Sequence, residues 1–180
     1  MLVKISNARL AFPALFAPKT VNGEGEPKFS ASFLMDPLHP GLKAVNAVIE
    51  TVAQEKWGAK ATATLKPLRA SDKVCLHSGE SKADYAGYEG NFYLSASNKS
   101  RPLVIDRDKT PLVEADGRPY AGCYVNASVD IWAQDNNFGK RVNATLRGVQ
   151  FLKDGDAFTG GGAAKSDEFD DLGVEEEELA

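Results

Sequence analysis

The fold is decided by residues 123–152, CYVNASVDIWAQDNNFGKRVNATLRGVQFL. Apolar and polar side chains alternate through the first eleven of these residues, with Val125 and Ile131 on the apolar face, and this is the period of a half-buried strand. The segment DNNFG at 135–139 has the composition of a tight reversal. Alternation then resumes and changes phase at Gly148, as it does at a β-bulge. The stretch therefore predicts a long antiparallel hairpin.

Two further strands are predicted near the N-terminus. Apolar residues alternate with polar ones from Val3 to Phe12, with a change of phase near Asn7 that indicates a bulge. Residues 29–35 alternate in the same way. The intervening residues 13–27 are rich in Gly and Pro and contain an Asn-Gly turn signal, so they predict a loop or a wide hairpin.

One helix is predicted, over about residues 41–57, where apolar residues recur at helical spacing and Gly58 follows as a stop signal. The pattern is weak from there to Gly90, and residues 80–90 predict an exposed loop that carries Tyr85 and Tyr88. Short strands are predicted at 73–76, 91–97 and 102–106.

These elements define a mainly β fold with six or more strands and one early inserted helix. A bent sheet of this size, with no second layer of helices, is best closed into a small barrel. We therefore predict an oligonucleotide/oligosaccharide-binding (OB) type of barrel, closed or partly open. An immunoglobulin-like sandwich is the alternative, and the inserted helix counts against it.

The charge is unevenly distributed along the chain. The 180 residues include 25 acids and 21 bases, a net charge of −4. Eight of the acids lie in residues 166–180, which contain no Lys or Arg, so the remainder has 17 acids against 21 bases and a net charge of +4. A block of like charge is typical of a disordered interaction tail. We predict an OB-like domain over 1–158, a flexible Gly-rich linker over 159–165 and an acidic disordered tail over 166–180.

Residues suited to catalysis or metal binding are few. The two histidines, His39 and His77, lie in no recognisable motif, and together with Cys75 and Cys123 they match no common zinc spacing. The carboxylate pairs fall in turn sequences, which explain them without a site. We predict a protein that is not an enzyme and has no metal or cofactor.

The outward faces of the predicted strands favour nucleic-acid binding, because aromatic rings there accompany cations. Stacking of bases on rings and neutralisation of phosphates by Lys and Arg are the two requirements for holding a single strand. The alternative remains that the rings fill a small hydrophobic patch under a loop and the cations are solvated. The predicted DNA-binding residues are Lys82, Tyr85, Tyr88, Tyr93, Lys99, Arg101, Tyr124, Trp132, Arg141 and Arg147.

The acidic tail has a second predicted role. A tethered polyanion can occupy a basic groove when DNA is absent and be displaced when DNA binds. The freed segment is then available to partner proteins, since apolar residues are spaced among its acids. The predicted partner-binding and competing residues are Asp167, Glu168, Phe169, Asp170, Asp171 and Leu172.

Most of the chain resembles phage-encoded single-stranded-DNA-binding proteins. The resemblance lies in NFYLSASNKSRPLVIDRD at 91–108, in RPYAGCYVNASVDIWAQDNNFGKRVNATLRGVQFLKDGDAFTGG at 118–161 and in DEFDDL at 167–172. Its most specific parts are residues 120–126 and 148–151. The resemblance implies an OB fold, binding of single-stranded DNA in phage DNA replication, recombination or repair, and no catalysis. Replication or recombination proteins would be the partners of the tail.

The cellular location is predicted from the small number of cysteines and from the lack of targeting and membrane segments. Two cysteines do not form a disulfide framework, which favours a reducing compartment. The N-terminus lacks the pattern of a signal peptide, and no segment has the roughly 18 apolar residues of a membrane helix. We expect the cytoplasm, that of the host cell if the chain is phage-encoded, and no membrane partner.

Two assignments stay open at this point. The alternative function is a non-catalytic protein-interaction β-domain whose acidic tail only confers solubility. A homodimer is compatible with the sequence but is not specified by it.

Overall fold

A computed structural model describes residues 1–21, 23–158 and 166–174. Within those residues the chain forms seven strands and two α-helices, joined by short 3₁₀ turns. The elements are β1 Leu2–Val21, β2 Glu24–Met35, α1 Pro40–Trp57, α2 Ala61–Ala70, β3 Leu76–Ser78, β4 Phe92–Asn98, β5 Leu103–Ile105, β6 Tyr124–Asn136 and β7 Gly139–Lys153.

Five of the strands close into a barrel. They lie in the order β4-β2-β1-β6-β7, and β4 returns to pair with β7 in parallel at Ser97 and Thr145. The other barrel pairs are antiparallel. This closure confirms the predicted OB-like barrel, and the immunoglobulin-like alternative is wrong. Strands β3 and β5 extend the sheet beside β4 and β7.

The β6–β7 hairpin forms as predicted. Its register runs without a gap from Val129–Leu146 to Asn136–Gly139, and it shifts where Ser128 pairs with Gly148. That shift confirms the predicted bulge. Most inward residues of both strands are buried, and Val129 and Leu146 are fully buried. Alternation on these two strands therefore supplies one wall of the barrel core.

Strand β1 is longer than the sequence indicated. Residues 13–27 continue β1 and β2 to the pairs Lys19–Lys28 and Val21–Glu24, so they form a hairpin and not a loop. The register shifts on either side of Ala14, and irregular pairing of this kind tolerates prolines inside a strand. The bulge predicted near Asn7 is confirmed by the register shift against β6 between Ile5 and Ala8, where Asn7 has a φ of 56°. Asn22, in the predicted turn, lies outside the described residues.

The predicted helix is confirmed as α1, which begins at Pro40. His39 caps it, because its Nδ1 accepts a hydrogen bond from the Gly41 amide at 2.8 Å. The helical segment extends beyond the predicted residues 41–57, since α2 follows α1 after a 3₁₀ turn and ends at Ala70. Helix α2 has only ten residues and contains Pro67, which weakens helical propensity. Both helices pack their buried faces into the core, α1 against β1 and β6.

A second apolar cluster lies on the outer side of the barrel. We call it the outer cluster; it consists of Ala11, Leu34, Tyr88 and Tyr93, with Phe158 packed against it. The loop at 79–91 covers it, and Gly87 in this loop has a φ of 85°. A Cβ at that glycine would lie 2.5 Å from the Phe158 ring, so only glycine fits. The predicted exposed loop is therefore anchored, and Tyr88 within it is fully buried.

The part of the tail that the structure describes is exposed. Residues Ser166–Glu168 form a 3₁₀ turn, and Phe169, Leu172 and Val174 are at least 70% exposed. The predicted linker at 159–165 and the last six residues lie outside the described residues. Among the helices of the described ranges, none combines the length and the apolar character needed to cross a membrane.

Candidate nucleic-acid interface

An open groove of about 880 Å³ crosses the barrel wall. Strands β2, β4, β6 and β7 supply most of its lining, and the segment before β3 closes one side. Four of the predicted DNA-binding residues line it together: Lys82, Lys99, Trp132 and Arg141. We call this surface the cationic groove.

The groove has an excess of positive charge. Lys28 and Lys73 add to the three predicted cations, whereas Asp72 is the one acid that lines it within the described ranges. Lys99 Nζ lies 3.0 Å from a Glu26 carboxylate oxygen, and both side chains are well exposed. An exposed pair of this kind is weak, so an incoming phosphate can replace the carboxylate.

Trp132 presents an aromatic face in the groove. It lies on the outward side of β6 opposite Asn143 of β7, and 42% of its surface is exposed. Its indole Nε1 donates a hydrogen bond to Thr145 Oγ1 at 3.0 Å. That bond restrains the orientation of the ring in the groove, which Arg141 also lines, so the ring offers a fixed surface on which a base can stack.

His77 lies in the groove wall, although no sequence motif indicated a role for it. Its Nδ1 is 3.5 Å from Asp72 Oδ1, and its ring stacks on Tyr93 at 4.8 Å between centroids. Burial lowers the pKa of His77, and the nearby Asp72 partly opposes this shift. The imidazole is thus a neutral group placed among cations that line the groove.

Two predicted stacking residues are not accessible, which corrects the expectation that their rings face solvent. Tyr93 is 4% exposed because the loop at 79–91 packs over it, and Tyr88, which belongs to that loop, is 0% exposed because it packs into the outer cluster. Burial raises the pKa of both phenols. Lys82 Nζ lies 5.0 Å from the Tyr93 ring centroid. These two rings therefore lie in a small hydrophobic patch under a loop, which was the alternative to a role in nucleic-acid binding.

The remaining predicted residues lie outside the lining of the groove. The Tyr124 ring is covered by Lys153, whose Nζ is 4.9 Å from the ring centroid. Arg101 approaches Phe16 at 6.0 Å, while Arg147 is exposed further along β7. Tyr85 is half-exposed in the loop at 79–91. Their assignment to DNA binding stays a prediction.

The sequence also missed residues that line the groove. Lys28 leads into the polar face of β2, which continues with Ser30 and Ser32, and the alternation of residues 28–35 could have identified that face. Phe12 also lines the groove and is 55% exposed. Strand alternation placed it inside, and no local signal identified it.

The cysteines and His39 occupy structural positions in the described residues. Burial raises the pKa of the Cys75 thiol to about 12 and that of Cys123 to about 11, so neither is a reactive thiolate. The His39 Nε2 atom lies 2.9 Å from the Ser6 carbonyl. Within the described ranges, no three His, Cys, Asp or Glu residues are grouped to hold a metal ion.

The described residues form a five-stranded barrel with a cationic groove that contains an exposed tryptophan ring. In OB-type barrels, ligands lie against the barrel wall. The class of this protein is therefore an OB-type binding barrel. The sequence determines the family. The family described as Enterobacter phage Enc34, ssDNA-binding protein, matches residues 1–179. The chain belongs to that family.

Individual relatives are consistent with this assignment. Protein p50 of Acyrthosiphon pisum secondary endosymbiont phage 1 is 54% identical over 99% of this chain and 97% of its own length. The single-stranded DNA-binding protein from bacteriophage Enc34, solved in complex with ssDNA, is 30% identical with a TM-score of 0.75, over 88% of this chain and 89% of that one. The gp2.5 protein of bacteriophage T7 shares the fold, with a TM-score of 0.58 at 10% identity over 91% of this chain and 98% of that one.

Proposed function

We propose that this protein binds single-stranded DNA with little sequence preference, in the replication, recombination or repair of phage DNA in the host cytoplasm. The observation that carries the proposal is the cationic groove, where Lys82, Lys99 and Arg141 line the same surface as the exposed Trp132 ring. Membership in a family described by a ssDNA-binding protein supports it.

The groove supplies both contributions to single-strand affinity, which are base stacking and phosphate neutralisation. Each base stacked on a ring contributes about 1–3 kcal/mol regardless of its identity. Five Lys and Arg side chains line the groove within the described ranges. Each neutralised phosphate contributes about −0.7 to the slope of log K against log salt, so full engagement of the five gives a slope of about −3.5.

The acidic tail belongs to the same proposal. Residues 167–172 compete with DNA for the groove and, once displaced, recruit replication or recombination proteins. The high charge of the tail and the exposure of Phe169 and Leu172 support this role. Removal of residues 165–180 should therefore tighten DNA binding at low salt, and the difference should disappear at high salt.

Tryptophan fluorescence tests the groove directly, because the chain has two tryptophans and one lines it. Trp57 lies at the end of α1, where its Nε1 donates to Asp135 at 2.9 Å. Oligo-dT should quench the emission of the wild type and of Trp57→Phe, while Trp132→Phe should lose the quenching. Trp132→Ala should weaken binding by about 1–3 kcal/mol.

Two results would contradict parts of the proposed function. If the tailless protein shows no salt-sensitive binding to a 30-mer in low salt, the protein is not a single-strand binder. A stable protein partner in a pull-down would then favour the protein-interaction domain. If duplex binds as tightly as oligo-dT, binding is purely electrostatic and the stacking role of Trp132 is wrong.

A further inference from the structure

Phe12 lies at a break in the pairing of β1 with β2. Ala11 pairs with Ser32 and Ala14 with Ser30, so Phe12 and Pro13 together face one residue of β2. Two residues against one is the definition of a β-bulge. The bulge turns the Phe12 ring out of the barrel and into the lining of the cationic groove. Bulges of this kind commonly re-aim a side chain beside a functional site.

The backbone at Phe12 is strained. Its φ is 46°, in the left-handed region that a bulky residue rarely adopts. The proline that follows restricts this residue further. Strain of this kind persists only where the surrounding structure enforces it, and it is concentrated at functional sites. A glycine would remove the strain, so the presence of an aromatic ring here has a cost to folding.

The ring is held in place yet remains open to solvent. Tyr85 meets it edge-on, with centroids 5.2 Å apart and planes at 88°, and Tyr88 contacts it from the outer cluster at 6.0 Å. Phe12 and Tyr85 are still 55% and 53% exposed. Lys28 and Lys82 line the same groove. An open ring among cations is the surface that an unpaired base and its phosphates require.

We propose that Phe12, supported by Tyr85, is a second base-stacking platform and that it selects single-stranded over duplex DNA. The inference rests on the proposed function. A base reaches the Phe12 ring only when it is unpaired, whereas the lysines attract the phosphates of either form. Trp132 and Phe12 then hold bases at separate places in one groove, and Phe12 favours the single strand.

The test compares three ligands of equal length: oligo-dT, an abasic oligonucleotide with the same phosphates, and a duplex. Phe12→Ala and Phe12→Gly should weaken oligo-dT binding by about fivefold to about 150-fold, with abasic and duplex binding unchanged. Phe12→Trp should retain the oligo-dT affinity. Leu2→Ala is the matched control, because Leu2 is a similarly exposed residue of β1 that pairs with Asp130, away from the groove.

Phe12→Gly separates binding from folding. Glycine adopts positive φ without strain, so its melting temperature should equal or exceed that of Phe12→Ala while oligo-dT affinity falls. If the wild type binds oligo-dT and Phe12→Gly binds it equally well, the platform does not exist and the proposed function stands. Equal losses on oligo-dT and abasic ligand would also overturn the platform, since the ring would only shape the groove. A wild type that binds neither overturns the proposed function itself.

Discussion

The barrel core and the outer cluster are both apolar, but their residues come together in different ways. In the core, alternate residues of neighbouring strands meet across the sheet, as Val129 meets Leu146. The outer cluster instead gathers residues from β1, β2, β4, the loop at 79–91 and the segment after β7. The core thus follows from strand pairing, whereas the outer cluster depends on where the loop and the end of β7 lead.

The two regions also differ in how they relate to the groove. Buried core residues such as Val74 and Val142 help to line it, whereas the outer cluster reaches it through contacts with lining residues, because Tyr93 stacks on His77 and Tyr88 contacts Phe12. Phe158, the last described residue before the predicted linker, packs into the same cluster. The barrel core thus determines whether the fold exists, while the outer cluster links the groove wall to the segment that leads to the tail.

Truncating the core should have the largest effect on stability. Ile131 is fully buried on β6, and Ile131→Ala should lower the free energy of unfolding by about 2–5 kcal/mol through lost burial and a cavity. Urea denaturation followed by circular dichroism measures this loss. A loss below about 1 kcal/mol would mean that the core repacks around the cavity, and it would contradict the difference drawn between the two regions.

Truncating the outer cluster should act locally. Phe158→Ala removes a ring that packs on Gly87 and lies 4.1 Å below the Arg9 guanidinium, so we expect a smaller loss of about 1–3 kcal/mol. Hydrogen exchange should rise at the amides of residues 79–91 and stay unchanged in β6. Uniform acceleration across the barrel would show that the two regions unfold as one.

The same contrast explains how much of the fold the sequence predicted. Alternation identified the β6–β7 hairpin, its bulge at Gly148 and both N-terminal strands, because each depends on neighbouring residues. Helix α2 was missed because it is short and contains Pro67. The outer cluster was missed because Tyr88 and Phe158 are brought together only by the closed barrel.

The predicted site was only partly recovered for the same reason. Lys99, Trp132 and Arg141 lie on or next to strands whose outward face the alternation shows, and the structure brings them together in the groove. Tyr93 also faces outward, but the loop at 79–91 covers it. Alternation assigned Phe12 to the inward face of β1. A bulge changes which face of the strand a residue occupies, and it does so without changing the composition of the strand.

Lower pH should strengthen DNA binding through His77, which lines the groove and stacks on Tyr93 of the outer cluster. Burial lowers the pKa of His77 below its usual 6.5, Asp72 opposes this shift, and Lys82 and Arg141 add to it. Phosphates in the groove offset those two cations and favour the charged imidazole, which stacks on Tyr93. Binding then takes up a proton, and affinity rises as the pH falls through and below about 6.5, by at most about tenfold per pH unit.

The stability of the free protein should change in the opposite direction. Because the pKa of His77 is lower when folded than when unfolded, the unfolded chain binds more protons, and stability is lost as the pH falls below about 6.5. His77→Gln should flatten both profiles, measured by fluorescence anisotropy at constant ionic strength and by thermal melting. His39→Gln is the matched control, since His39 caps α1 outside the groove. A binding slope that survives in His77→Gln assigns the proton to another group.

The smallest effect should come from the Tyr88 hydroxyl, and its sign decides whether the outer cluster is a well-formed core. This hydroxyl is buried without a hydrogen-bond partner among the described residues; Ser32 lies near it, but the contact lacks hydrogen-bond geometry. A buried group left unsatisfied is destabilising, so Tyr88→Phe should raise the free energy of unfolding by about 1 kcal/mol. Tyr93→Phe is the matched control, since its hydroxyl is not orphaned in this way, and it should give no gain. A loss of stability in Tyr88→Phe would mean that the hydroxyl is hydrogen-bonded in solution, and the outer cluster would then be as well satisfied as the barrel core.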